Sequence, residues 1–219
     1  MLSLADNDLL TKVGPGTPMG DVMRHYWIPA FMSKELPDND SDPLRIRLLG
    51  ENLIAFRDTV GRLGLVANSC PHRGASLFYA RNEEGGLRCV YHGWKFDVSG
   101  NCMDMPSEPV ESNFKGKIHA KAYGIQERNG IAWAYLGKLK GADMPTLPDL
   151  ESTMLNAEHT EIWTAQRACN YMQALEGDID TSHLGFLHLG AIRPEEAPAK
   201  SFNYYTVADR APRYHVIDT

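Results

Sequence analysis

The amino-acid sequence predicts an α+β protein in which an all-β domain precedes the beginning of an α+β domain. Between Pro43 and about Gly137, short runs rich in β-branched and aromatic residues, such as NLIAFRD and GIAWAYLG, alternate with turn residues. The connector GKLKGADMPTLPDL then interrupts this pattern, and the run NYMQALEGDIDTSHLGFLH that follows is typical of helix. We therefore expect a helical segment over residues 1–40, the all-β domain over 41–140 and the α+β domain over 141–219.

Local signals predict where several elements begin and end. Thr17 can cap a helix that has Pro18 at its first position. The run RCVYHGWKFDV is assigned to a strand, and the tail SFNYYTVADRAPRYHVIDT is again strand-like in composition. Hairpin turns are expected at 58–62, 99–101 and 128–130.

Composition and charge argue against several classes of protein. The 219 residues are 43% hydrophobic and carry a formal net charge of −6, with lysine and arginine scattered rather than clustered. This distribution does not favour a nucleic acid partner. No run approaches the roughly eighteen apolar residues that a membrane span needs, and the N-terminus is acidic where a secretory signal would be basic. We therefore expect a cytoplasmic protein that binds neither membranes nor nucleic acid.

Two of the four cysteines lie in short motifs that each contain one cysteine and one histidine. Cys70 and His72 stand in CPHRG, and Cys89 and His92 stand in CVYHGW. A structural zinc site usually pairs two cysteines in one motif and two histidines in the other. Mixed pairs suit two unlike irons, because each motif can direct its cysteine to one iron and its histidine to the other. A zinc site remains the alternative.

These motifs closely resemble those of the Rieske family. The resemblance implies a [2Fe–2S] cluster held by Cys70, His72, Cys89 and His92. It also implies that Gly74, Gly93 and Trp94 lie where the ligand loops fold tightly over the sulfides, with backbone N–H groups directed at sulfur. The remaining cysteines, Cys102 and Cys169, have no histidine at ligand spacing and are expected to be packing residues.

A second constellation follows in EGDIDTSHLGFLH, which contains Glu176, Asp180, His183 and His188. Two imidazoles and one carboxylate on one face of an iron leave positions open for dioxygen and substrate, as in non-haem Fe(II) oxygenases. On a regular helix His183 and His188 would diverge by about 140°, so the helix must end or bulge between them if both bind one metal. Gly185 would favour such a break. A surface helix that happens to carry histidine and aspartate is the alternative.

Together the two constellations resemble the large subunit of a Rieske non-haem iron oxygenase, of the phthalate dioxygenase-like branch. The resemblance implies a mononuclear Fe(II) bound by His183 and His188, with the third ligand beyond residue 219, because Asp209 and Asp218 do not match the family's ligand segment. The chain is therefore expected to be an incomplete subunit.

The resemblance also implies how such a protein works and with whom. An NAD(P)H-dependent flavin or iron–sulfur reductase supplies electrons, and an aromatic acid or aryl ether is oxygenated with O2 by dihydroxylation, monohydroxylation or O-demethylation. A head-to-tail homotrimer, single or stacked, brings one subunit's cluster to the next subunit's iron. Asp180 is implied to lie at that contact, between His183 and the neighbour's His92. A Rieske electron carrier with no substrate site of its own is the alternative function.

Overall fold

The computed structural model describes residues 2–109, 111–188 and 195–208 and the single positions 193, 211, 213, 215 and 217. The chain divides into two compact units, Met1–Thr164 and Ala165–Thr219. The first is built mainly of antiparallel strands, and the regular elements among the described residues of the second are helices. The protein is thus of the predicted α+β class, whereas the predicted boundaries at residues 40 and 140 remain predictions.

The first unit begins with two short helices and continues with strands in three antiparallel sheets. The helices are α1 (Leu4–Thr11) and α2 (Pro18–Met23), and α3 (Glu151–Met154) follows the strands. One sheet has the order β1 (Trp27–Met32), β10 (Ile131–Tyr135), β9 (Gly124–Arg128). A second has the order β2 (Leu44–Leu48), β3 (Glu51–Arg57), β4 (Leu63–Ala67). The third has the order β5 (Arg81–Glu83), β6 (Gly86–Arg88), β7 (Lys95–Phe96), β8 (Cys102–Asp104).

Strand β3 is buried on both faces and separates two hydrophobic cores. Successive side chains of a strand point to opposite faces, so Leu53 and Ala55 enter one core while Ile54 and Phe56 enter the other. This explains the unbroken apolar run LIAF in the sequence. The core around Ile54 and Phe56 also contains side chains from both Cys/His motifs, namely Cys70, Cys89 and Trp94.

Several local predictions are confirmed, and one strand is shorter than expected. The Thr17 side chain caps α2, with Pro18 as its first residue, and the three predicted turns connect neighbouring strands. In RCVYHGWKFDV, however, only Lys95–Phe96 is a strand beyond Arg88. Residues 89–94 form a loop because the chain turns there with Gly93 at a φ of 77°, which a strand does not permit.

The second unit contains α4 (Tyr171–Ile179), α5 (Leu184–Leu187) and α6 (Phe202–Ala208). The strand expected in the tail is wrong for its first part, because Phe202–Ala208 is helical. Cys169, expected to be a packing residue, is exposed, whereas Cys102 is buried as predicted. In the part of the chain that the structure describes, no helix is both long enough and apolar enough to cross a membrane.

Candidate functional site: two Cys/His loops and a His–His pair

The two Cys/His motifs form loops with the same backbone hydrogen bonds. In the first loop, residues 69–76, Cys70 N–H donates to Ala75 O at 2.8 Å and Gly74 N–H donates to Cys70 O at 2.9 Å. In the second loop, residues 89–94, Cys89 N–H donates to Trp94 O and Gly93 N–H to Cys89 O, both at 2.9 Å. Each loop therefore closes on itself around its cysteine. The glycine four residues after the cysteine has a positive φ in both, 72° and 77°.

These loops bring the four predicted ligand residues together. The Cys70 and Cys89 thiols lie close enough for Cys89 to affect the protonation of Cys70, and both residues are only 3% exposed. The His72 and His92 rings lie with their centroids 4.5 Å apart. One thiol and one imidazole from each loop thus meet as a thiol pair beside an imidazole pair, which is the arrangement that two unlike irons require.

The protonation of Cys70 and His72 fits a cationic group between the loops. Burial and then the adjacent Cys89 raise the pKa of Cys70 to about 11, although the backbone N–H groups of His72 and Arg73 act to lower it. Such a buried thiol becomes a thiolate only beside a compensating cation. Burial, with the charges of His92 and Arg73, lowers the pKa of His72, so its imidazole is available as a neutral ligand. Its Nδ1 is buried without a hydrogen-bond partner among the described residues. The donor set therefore fits a [2Fe–2S] cluster.

An aromatic side chain fixes one of the imidazoles. The Trp94 indole stacks on the His72 ring at a centroid distance of 4.2 Å and an interplanar angle of 8°. Trp94 Nε1 in turn donates to Ser107 Oγ at 3.3 Å. Trp94 belongs to the second loop and His72 to the first, so the stack connects the two loops. The sequence predicts Trp94 near the cluster but gives no signal for this contact.

In the second unit, the structure brings Asp180, His183 and His188 together. The His183 and His188 rings flank α5 with their centroids 5.4 Å apart. Asp180 Oδ2 lies 3.0 Å from His183 Nδ1, which leaves Nε2 of that ring for a metal. The backbone N–H of Ser182 and then the His183 side chain lower the pKa of Asp180, so the carboxylate is ionised beside the imidazole. Such a carboxylate orients a metal-binding histidine and fixes its tautomer.

The helix break falls at another residue than the sequence predicts. Helix α4 ends at Ile179 and Asp180 has an extended conformation, whereas Gly185 lies inside α5. The Asp180 carboxylate accepts the backbone N–H groups of Ser182 at 2.8 Å and of His183 at 3.3 Å. An aspartate that binds N–H groups two and three residues ahead competes with helix continuation. Asp180 therefore lies in the break between α4 and α5 rather than within a helix.

No three histidine, cysteine or carboxylate side chains lie close enough to hold one metal ion within the described part of the chain. Of the later aspartates considered from the sequence, Asp209 and Asp218 lie outside the described residues.

The comparisons with known proteins identify the domain that carries the two Cys/His loops. Residues 26–121 match the family described as Rieske [2Fe-2S] domain. The chain is 49% identical to the 3-chlorobenzoate-3,4-dioxygenase oxygenase subunit of Comamonas testosteroni over 98% of this chain and 49% of that protein. It is 41% identical to the phthalate 4,5-dioxygenase oxygenase subunit of Pseudomonas putida over 99% of this chain and 50% of that protein.

Solved structures show the same likeness. A dicamba monooxygenase bound to dicamba has a TM-score of 0.64 and 25% identity, covering 75% of this chain and 48% of that chain. A second structure of that monooxygenase, with non-heme iron and dicamba, has a TM-score of 0.50 and 28% identity. It covers 59% of this chain and 38% of that chain. A reduced complex between oxygenase and ferredoxin in carbazole 1,9a-dioxygenase has a TM-score of 0.61 and 27% identity. It covers 80% of this chain and 42% of that chain.

Fold, loops and comparisons together define a protein with a Rieske [2Fe–2S] domain. More particularly, the chain belongs to the family of Rieske oxygenase large subunits, among relatives of the phthalate dioxygenase type. It spans about half the length of the curated relatives that it matches.

Proposed function

We propose that this chain is part of an oxygenase component that takes electrons through a Rieske cluster to a mononuclear Fe(II) site and hydroxylates an aromatic substrate with O2. The observation that carries the proposal is the meeting of the thiol pair and the imidazole pair between the two Cys/His loops. An aromatic acid is the favoured substrate class, because the relatives are named for chlorobenzoate and phthalate. Dioxygenation, monooxygenation and O-demethylation all remain compatible with the site.

Each ligand pair has its own role in this proposal. The thiolates of Cys70 and Cys89 bind one iron of the cluster, and the imidazoles of His72 and His92 bind the other. His183 and His188 bind the mononuclear iron. When bound, the cluster supplies one-electron transfer and the mononuclear iron activates dioxygen.

We assign to Asp180 the role of connecting the two metal sites across a subunit contact. Its Oδ2 already contacts His183 Nδ1, and the side chain is 43% exposed, so the same carboxylate can accept a hydrogen bond from another subunit. In a head-to-tail trimer, single or stacked, that donor is the neighbour's His92. The electron donor is a ferredoxin or reductase, with an NAD(P)H-dependent reductase as the first source, and a cytoplasmic location remains part of the proposal.

The rival function is a Rieske electron carrier without a substrate site. A carrier needs only the domain at residues 26–121, yet the similarity to oxygenase subunits covers 98% of this chain. A carrier has no mononuclear iron and would not need a carboxylate that orients His183 beside His188. Both observations favour the oxygenase.

The test is metal and sulfide analysis of protein purified without oxygen. We expect two irons and two acid-labile sulfides per chain in the Cys/His loops, and Cys70→Ser should abolish this cluster. Cys102→Ser is the matched control, because Cys102 is a buried cysteine of the same hydrophobic core but is no ligand. Zinc without acid-labile sulfide would contradict the proposal. In the complete subunit, a third iron and substrate-dependent oxygen uptake distinguish an oxygenase from a carrier.

A further inference from the structure

One arginine beside the second Cys/His loop has a set of contacts that its position in the sequence does not predict. Arg88 ends β6 and directly precedes the ligand Cys89, and its side chain is 13% exposed. Its Nη1 donates to the backbone carbonyl of Gly93 at 2.9 Å and to Asp104 Oδ2 at 2.7 Å. Its Nε donates to Glu83 Oε1 at 2.6 Å. One planar guanidinium thus connects the second loop to β8 through Asp104 and to β5 through Glu83.

The carbonyl that Arg88 contacts occupies a central place in the site. Gly93 follows His92 directly, and its carbonyl belongs to the peptide unit that leads into Trp94, which stacks on His72. A charge-assisted hydrogen bond to this peptide is stronger than a neutral one and polarises the peptide unit. The contact is therefore placed to affect both imidazoles.

The second loop is supported on this side by the chain that follows β8. A Cβ on Gly93 would lie 2.6 Å from Pro106 Cγ, and Trp94 Nε1 donates to Ser107 Oγ. Asp104, the carboxylate that receives Arg88, is the last residue of β8. In the first loop, by contrast, a Cβ on Gly74 would meet nothing within 4 Å. The guanidinium thus belongs to the closely packed side of the second loop.

We propose that Arg88 is a positioning residue that fixes the second loop, and with it His92 and Trp94, and so sets the reduction potential of the cluster. The proposal rests on the proposed function, because it assumes the cluster between the loops. Arginine is needed because its fork can serve the Gly93 carbonyl and two carboxylates at once, which a lysine ammonium on a flexible stem does not reproduce. Loss of the guanidinium also removes the arginine partner of Asp104 and leaves Glu83 with Arg81 alone. The negative charge that is then less compensated near the cluster disfavours its reduction.

The experiment compares Arg88→Met, Arg88→Lys and Arg81→Met in anaerobically purified protein. Arg81 is the matched control, because it also pairs with Glu83, at 3.0 Å, but is 63% exposed. The measurements are iron and acid-labile sulfide content, the midpoint potential from a dye-mediated titration, and the EPR spectrum of the reduced cluster. We expect Arg88→Met to lower the midpoint potential and change the g values. Arg88→Lys should keep more of the potential but still change the g values, and Arg81→Met should leave both unchanged.

Each outcome decides the inference. Wild-type potential and g values in cluster-containing Arg88→Met would overturn it, as would an equal shift in Arg81→Met. If Arg88→Met holds no cluster, Arg88→Lys decides, and a wild-type spectrum and potential in that variant would overturn the positioning role. A wild-type protein without acid-labile sulfide would instead overturn the proposed function, and the inference with it.

Discussion

At the scale of single residues, Asp180 is the side chain whose contacts bear most directly on the chemistry. Its two oxygens accept the N–H groups of Ser182 and His183 and contact the His183 ring. Asp180→Asn keeps the size of the side chain but removes the charge that fixes the ring. Since the loss of such a partner typically costs about 10–100-fold in metal affinity or activity, we expect turnover of the complete subunit to fall by at least that factor. The Rieske cluster should be retained.

The measurement is the rate of cluster oxidation in a single turnover of pre-reduced complete subunit, after oxygen and substrate are added. Asp178→Asn is the control, because Asp178 is 66% exposed and pairs only at 3.4 Å with Arg167 in the same unit. We expect slow cluster oxidation in Asp180→Asn and the wild-type rate in Asp178→Asn. Cluster oxidation at the wild-type rate in Asp180→Asn would show that the Asp180 carboxylate does not connect the two metal sites.

The sequence predicts which residues of the site come together, but it does not predict what surrounds them. Ligand types and spacing are enough to select the two cysteines and two histidines of the loops. The stack of Trp94 on His72 and the ion pair of Arg88 with Asp104 depend on how the first loop and β8 pack against the second loop. Contacts of that kind join segments distant in the chain, and no local pattern encodes them.

At the scale of elements, the helix around the His183–His188 pair shows why one sequence argument failed. Glycine permits a break, and on that ground Gly185 was the expected place. The Asp180 side chain provides a stronger cause, because it binds the N–H groups that a continuing helix would use. The resulting one-turn helix α5 carries one histidine at each end. The tail at Phe202–Ala208 is a similar case, since its aromatic residues suit strands but form a helix here.

The two Cys/His loops differ in one respect that gives a test. Gly74 and Gly93 both have a left-handed backbone, so alanine at either position should destabilise the protein by roughly 1–2 kcal/mol. At Gly93 the added Cβ would also lie 2.6 Å from Pro106 Cγ, and overpacking typically costs a further 1–3 kcal/mol or so. Gly93→Ala should therefore lower the thermal unfolding midpoint and the iron content more than Gly74→Ala. Equal losses would show that Pro106 moves away without cost.

At the scale of the whole first unit, one partly buried carboxylate connects three distant segments of the chain. Glu51 begins β3 and receives Arg24 Nη2 at 2.9 Å, Lys121 Nζ at 2.7 Å and the Tyr123 hydroxyl at 2.5 Å. Arg24 follows α2 directly and also donates to the carbonyl of Leu49. The helical N-terminal segment is thus connected to the sheets through one charged network. Composition alone gives no sign of this, because the partners are up to 72 residues apart.

The pH dependence of stability tests this network. Burial alone would raise the pKa of Glu51, but the hydrogen bonds from Lys121, Tyr123 and Arg24 lower it from 4.5 to about 2. Because the folded pKa lies below the unfolded one, the stabilisation is fully present above about pH 4.5 and is lost as the pH falls towards 2. Since Lys121 is 59% exposed and solvent screens its charge, we expect Glu51→Gln to lower the unfolding free energy at pH 7 by on the order of 1–3 kcal/mol.

That difference between wild type and Glu51→Gln should shrink as urea unfolding is repeated from pH 7 down to about pH 3, because the carboxylate of the unfolded chain becomes protonated over this range. Asp149→Asn is the matched control, because Asp149 also accepts an arginine at 2.9 Å but is 73% exposed. An exposed pair contributes at most about 1 kcal/mol, so this variant should differ little from wild type at any pH. A Glu51→Gln deficit that stays constant with pH would mean that Glu51 acts through packing and neutral hydrogen bonds. The carboxylate charge would then not be what connects the N-terminal segment to the sheets.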